Sequence, residues 1–215
     1  MTQSAARRIQ PSPRLAALAT TLALLTAVGA ARVDAAPQPA AGTANEARLF
    51  LDHGQTYARD GQWRAAIALY KNALDINPRL ADAHFLLGVA LAQQDRPRAS
   101  VRALEKAAKL RPDSARTYYN LGVAYARTGA LAKEIASYKR ALRLDPAHTS
   151  AHYNLATAYW AQGRDEAASK ELFTAGRLYH NAGHTAQARE MLHLIQRIAP
   201  ESAYAAKLRK RIGGY

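Results

Sequence analysis

Cysteine is absent from the 215 residues, which excludes a disulfide framework, a thiolate metal site, a cysteine nucleophile and a lipidated cysteine. Twelve glycines and nine prolines are too few for a collagen-like or low-complexity chain. Acid is the scarce sign of charge. Sixteen Asp and Glu stand against 30 Lys and Arg, a formal charge of +14, so the complementary partner or surface is anionic. The short signatures of catalysis are missing too: Gly-x-Gly-x-x-Gly, the P-loop, His-Glu-x-x-His and Gly-x-Ser-x-Gly. A non-catalytic chain without a cofactor is therefore expected. An apolar share of 49 % with 21 % charged residues argues against disorder throughout.

The amino terminus carries a different pattern from the rest. Arg7, Arg8 and Arg14 precede a run from Leu15 to Ala31 without charge, and Val33-Asp34-Ala35 follows. Basic, apolar and small-residue segments in that order predict a secretory signal peptide over 1–35, cut after Ala35 with Ala30 as the second site. The mature chain would be periplasmic or secreted. One alternative is an uncleaved membrane anchor, because 17 uncharged residues sit at the lower edge of what spans ~30 Å of hydrocarbon. Another is a cytoplasmic chain with an Ala-rich tail. Loss of 1–35 would leave 26 basic and 15 acidic side chains, or +11. Residues 36–44 show no periodicity and read as an extended, disordered linker.

Beyond the linker the chain repeats itself. Pro78, Pro112 and Pro146 are 34 residues apart, each after a similar phrase: Ala-Leu-Asp-Ile-Asn-Pro, Ala-Lys-Leu-Arg-Pro and Ala-Leu-Arg-Leu-Asp-Pro. Within each period, Leu87/Gly88/Leu91 and Leu121/Gly122/Tyr125 fall on one face of a helix. Ala66/Tyr70/Ala73 and Tyr138/Ala141 supply a facing stripe on a second helix. The small residue lets the two helices approach. Gly61, Asp95, Gly129, Gly163 and Gly183 mark the turns, and each proline ends a second helix. His180 takes the proline place of the fourth period, so nothing breaks the helix begun near Asp165 before Asn181-Ala182-Gly183. That helix would serve two pairs at once. Glu201–Ile212 reads as a polar capping helix within the tail 201–215.

With its period of 34 and these in-phase residues, the chain resembles the tetratricopeptide repeat (TPR) family over most of 45–200. The units are 47–80, 81–114, 115–148 and 149–182, with a partial, overlapping one at 169–202. The resemblance implies an all-α fold, a right-handed solenoid of antiparallel helix pairs with about ten helices. It also implies a function, because the inner positions of TPR first helices line a concave groove that binds peptides. Carried over by position, the groove would hold an aromatic track of Phe85, Tyr119, Tyr153, Trp160 and Phe173. Arg116, Arg127 and Arg177 would flank it. Asn120 and Asn154 would grip a peptide main chain, since an amide both donates and accepts. The family's clamp for a free carboxylate is not matched, because Ser150 stands where it requires a base.

The expected partner is a protein or peptide, neutral to acidic, held by a scaffold. The alternative is attachment to an anionic envelope surface such as lipid, lipopolysaccharide or cell-wall polymer. Nucleic acid is not expected, given the export signal and the scatter of the bases. Seven histidines invite a metal reading. However, His148 follows Pro146 in a loop, Gly183 interrupts the His180/His184 pair, and His84 and His152 occupy a packing position. No metal site is expected.

Overall fold

The computed structural model describes residues 41–213. Among them are ten α-helices and no strand. They are α1 (Ala41–Arg59), α2 (Trp63–Ile76), α3 (Ala81–Gln93), α4 (Pro97–Leu110) and α5 (Ala115–Arg127), followed by α6 (Leu131–Leu144), α7 (Thr149–Ala161), α8 (Asp165–Asn181), α9 (Thr185–Ile198) and α10 (Ala203–Arg211). Each helix packs on its neighbours in the chain, which makes the fold an all-α solenoid of helix pairs. The long α8 packs on α7, α9 and α10, the double role that His180 in place of proline allows.

The breaks fall at the five expected turns. Gly61, Gly129, Gly163 and Gly183 have φ between +70° and +79°, and among the described non-glycine residues only Asp95 has a positive φ, +53°. Aspartate tolerates this left-handed region better than most side chains. Second helices α2, α4 and α6 end two residues before Pro78, Pro112 and Pro146, and α9 ends before Pro200. The residue preceding proline is pushed out of the helical region, so these ends are set locally.

Within a pair, close approach depends on the missing side chain of the first helix. A Cβ on Gly122 would lie 2.5 Å from the Tyr138 ring, and one on Gly88 2.6 Å from Leu104 Cγ. At the Gly88 crossing the buried Ser100 hydroxyl donates to the Gly88 carbonyl at 2.7 Å. Tyr70, Leu104, Tyr138, Leu155, Ile195 and Leu208 are the largest fully buried side chains, one or more from each successive layer of the stack.

The start of the array needs a correction. Residues 36–44 were expected to form a linker, yet α1 is helical from Ala41. Gly42 and Thr43 are poor helix formers, but Ala47 one turn past Ala44 is buried to 1 % exposure, so packing rather than propensity extends the helix backwards. The expected signal peptide lies outside the described residues. No described helix is long and apolar enough to cross a membrane.

Candidate functional site

The inner positions of α3, α5, α7 and α8 fall into three groups. The first is spent on joining repeats. Phe85 is only 7 % exposed, and the Arg116 guanidinium lies 4.4 Å above its ring. Arg127 donates from Nη1 to the Ala92 carbonyl at 2.6 Å and from Nη2 to the Asp95 carboxylate at 2.5 Å. It thereby caps the carboxyl end of α3 from the following repeat. Phe85 is thus a core residue under an arginine, whereas Arg127 stays exposed but is held in an inter-repeat ion pair.

The second group is a polar aromatic cluster at the junction of the third and fourth repeats. Tyr119 on α5 stacks on His148 at 4.5 Å and leans on Tyr138 at 6.0 Å. The Asn154 side-chain N–H, on α7, donates to the Tyr119 and Tyr138 hydroxyls at 3.5 and 3.4 Å. Burial pushes the Tyr138 phenol well above its usual pKa, with the Glu134 charge adding to it. Glu134, itself half-buried, is pushed up by burial as well. Asn120 donates to the Arg116 carbonyl one turn back at 2.9 Å. Both amides keep their carbonyl oxygens as acceptors, so a ligand here would find acceptors and phenols more readily than free amide donors.

The third group is open. Trp160 is 53 % and Tyr153 38 % exposed. They lie seven residues apart on one face of α7, which forms a rigid apolar ledge. Arg177 on α8 is half-exposed and forms no ion pair among the described residues. Phe173 leans on Tyr204 of α10 at 5.6 Å, which carries the ledge toward the last helix. Of the expected track, Tyr153 and Trp160 are exposed, whereas Phe173 and Arg177 on α8 are half-buried.

His148 and Tyr138 belong to the cluster although the sequence analysis placed neither on the inner wall. Inner-face positions are counted along first helices, and these two come from a loop and a second helix. Nothing in the local pattern marks them. Two other histidines, His84 and His152, have hydrogen-bond partners. His84 Nε2 meets the Pro78 carbonyl at 2.9 Å, and His152 meets Pro146 at 3.1 Å and Glu171 at 2.6 Å. Where the equivalent position holds Tyr118, Arg140 donates to the Pro112 carbonyl instead, at 2.9 Å. The same carbonyl is thus satisfied in three successive units by different chemistry. Among the described residues, no three metal-ligating side chains converge.

Three family models match, described as TPR repeat over 54–95 and as tetratricopeptide repeat over 92–149 and 135–177. No curated protein matches in sequence. Solved structures share the fold. MamA 41-end from Desulfovibrio magneticus RS-1 is 23 % identical with a TM-score of 0.61, over 64 % of this chain and 77 % of that one. YrrB, titled a TPR protein with an unusual peptide-binding site, is 18 % identical with a TM-score of 0.53, covering 75 % and 90 %. The first TPR of Spaghetti, bound to the HSP90 peptide SRMEEVD, is 20 % identical with a TM-score of 0.55, covering 55 % and 94 %. With the period of 34, the glycine–ring crossings and the matched models in agreement, the chain is a tetratricopeptide-repeat protein.

Proposed function

We propose that this protein is an exported, non-catalytic scaffold that binds an extended, neutral-to-acidic protein segment along the inner face of its repeats. The observation that carries the proposal is the open ledge of Tyr153 and Trp160 on α7. Large aromatics left exposed on a rigid helix are the residue types that most often dominate binding energy. The acceptor oxygen of Asn154 on the same helix and Arg177 on α8, without an ion pair among the described residues, would supply main-chain contact and a preference for anionic segments. Solved TPR structures that bind peptides support the class of ligand.

The test is a crosslinking pull-down from an envelope fraction of the native host. Wild type is compared with Asn120→Ala/Asn154→Ala and with Trp160→Ala, each first shown to be folded by circular dichroism. Loss of Trp160 is expected to cost ~2 kcal/mol, about thirtyfold in affinity. Unchanged recovery by both variants would reduce the inner face to a plain wall. Export is tested separately: intact mass of protein from the host is expected to show a chain beginning at Ala36. The full-length mass in membranes would favour an anchor.

A second reading is attachment to an anionic envelope surface. It rests on the exposed bases Lys207, Arg209, Lys210 and Arg211 at the end of α10. Reversal of these four charges would release the protein from the envelope fraction under this reading, and leave its partner recovery intact under the first.

A further inference from the structure

A recess lies on the opposite side of α3 from its inner positions. It is an open groove of about 800 Å³ walled by α2 and α4. First helices α1 and α3, and α3 and α5, touch, whereas α2 and α4 both pack on α3 far more than on each other. That splay opens the groove. Its floor is apolar: Leu87 and Leu91 of α3, with Leu74 of α2 and Ala99, Ala103 and Leu110 of α4. Its rim is basic. Lys71 rises on the α2 side, and Arg96, Arg102, Lys106 and Lys109 on the α4 side, against the single carboxylate of Asp75. All five bases are exposed, and none forms an ion pair among the described residues. By contrast, Arg111 and Arg127 pair with Asp82 and Asp95, and Arg116 and Arg164 lie over aromatic rings.

We infer that this groove is a second docking site, and that its occupant is an acidic amphipathic helix of a partner protein. Charge complementarity sets the sign of the occupant: five unpaired cations border a floor that one carboxylate cannot balance. The walls set its backbone. Both are helices whose main-chain groups are already bonded internally, so an extended peptide would lie over the apolar floor with its own N–H and C=O groups unsatisfied. A helix satisfies its own backbone and presents an apolar stripe at i, i+3, i+4 and i+7 to the floor, the recurring helix-in-groove mode. A flat anionic bilayer would meet the rim but leave the recessed floor empty. The site is independent of the Tyr153–Trp160 ledge, which belongs to α7.

The experiment uses the full chain and three synthetic fluorescent peptides as long as the 14 residues of α4. One carries Leu on a single helical stripe and Glu elsewhere. The second has the same composition with the Leu residues scattered, and the third replaces Glu by Lys. Only the first is expected to bind by anisotropy. Arg102→Glu/Lys106→Glu is expected to weaken it at least ~tenfold. The same change of charge away from the groove, at Arg189→Glu/Arg197→Glu, is expected to leave binding within ~twofold, as surface charges beyond a Debye length are screened. Lys71→Glu tests the opposite wall and is expected to act in the direction of the Arg102 and Lys106 changes. Equal binding of striped and scattered peptides, or equal loss with both double variants, would overturn the inference. So would binding of vesicles rich in anionic lipid with no binding of the striped peptide.

Discussion

Gly122 and Tyr138 illustrate how much a single position can decide. The ring occupies the space a methyl group would need, with 2.5 Å between the ring and an added Cβ. Gly122→Ala forces a buried tyrosine to shift and is expected to cost ~1–3 kcal/mol in urea unfolding. Buried phenols also set the alkaline limit. Tyr70, Tyr125 and Tyr138 are all pushed above the ordinary value of 10.0 by burial, and Tyr125 further by donating to Glu105 at 2.6 Å. The folded state keeps protons that the unfolded chain releases. Their contribution to stability is therefore intact below pH ~10 and lost as pH rises beyond it. Denaturant titrations at stepped pH, followed by phenolate absorbance, are expected to show the midpoint falling above that value. His84 works at the other end. Burial lowers its pKa from 6.5, so the folded state resists protonation and its cost to stability grows as pH falls below ~6.5.

At the scale of the helix, periodicity and turn chemistry made the elements readable from sequence. Pro78, Pro112 and Pro146 and the turn residues act within a few positions of themselves, so the ends of α2, α4 and α6 required no knowledge of the fold. The start of α1 lies earlier than the sequence suggests because residues 36–44 show no apolar periodicity, whereas the burial of Ala47 extends the helix. The dual role of α8 was readable from His180. Its energetic weight comes from packing, since Leu208 of α10 fills the space beside Gly176 and is fully buried. Leu208→Ala is expected to cost ~2–5 kcal/mol. Tyr159, buried on the side of α7 away from Trp160, provides a sharper test of the array. Tyr159→Ala is expected to loosen α7–α10 and spare α1–α4, because each repeat contacts only its neighbours. Amide exchange resolved along the chain measures this as faster exchange confined to the carboxyl-terminal helices.

For the whole molecule, excess base is the feature that reaches furthest. With 30 basic and 16 acidic residues, encounter with an anionic partner is steered by the field of the array. Partner affinity is expected to fall as salt rises from low to physiological strength, while the unfolding midpoint moves little; binding isotherms at several salt concentrations check this. The repeat period, the helix ends, the crossing glycines and the sign of the charge all follow from the order of residues. Each depends on contacts within one helix pair or on composition. Which inner residues remain available does not follow from that order. Phe85 is covered by Arg116, and Arg127, though exposed, is paired with Asp95, because the partners arrive from adjacent repeats. The basic groove over α3 likewise exists because α2 and α4 splay. Residue spacing reports which face of a helix a side chain occupies, but the distance and angle between successive repeats determine whether that face is covered or open.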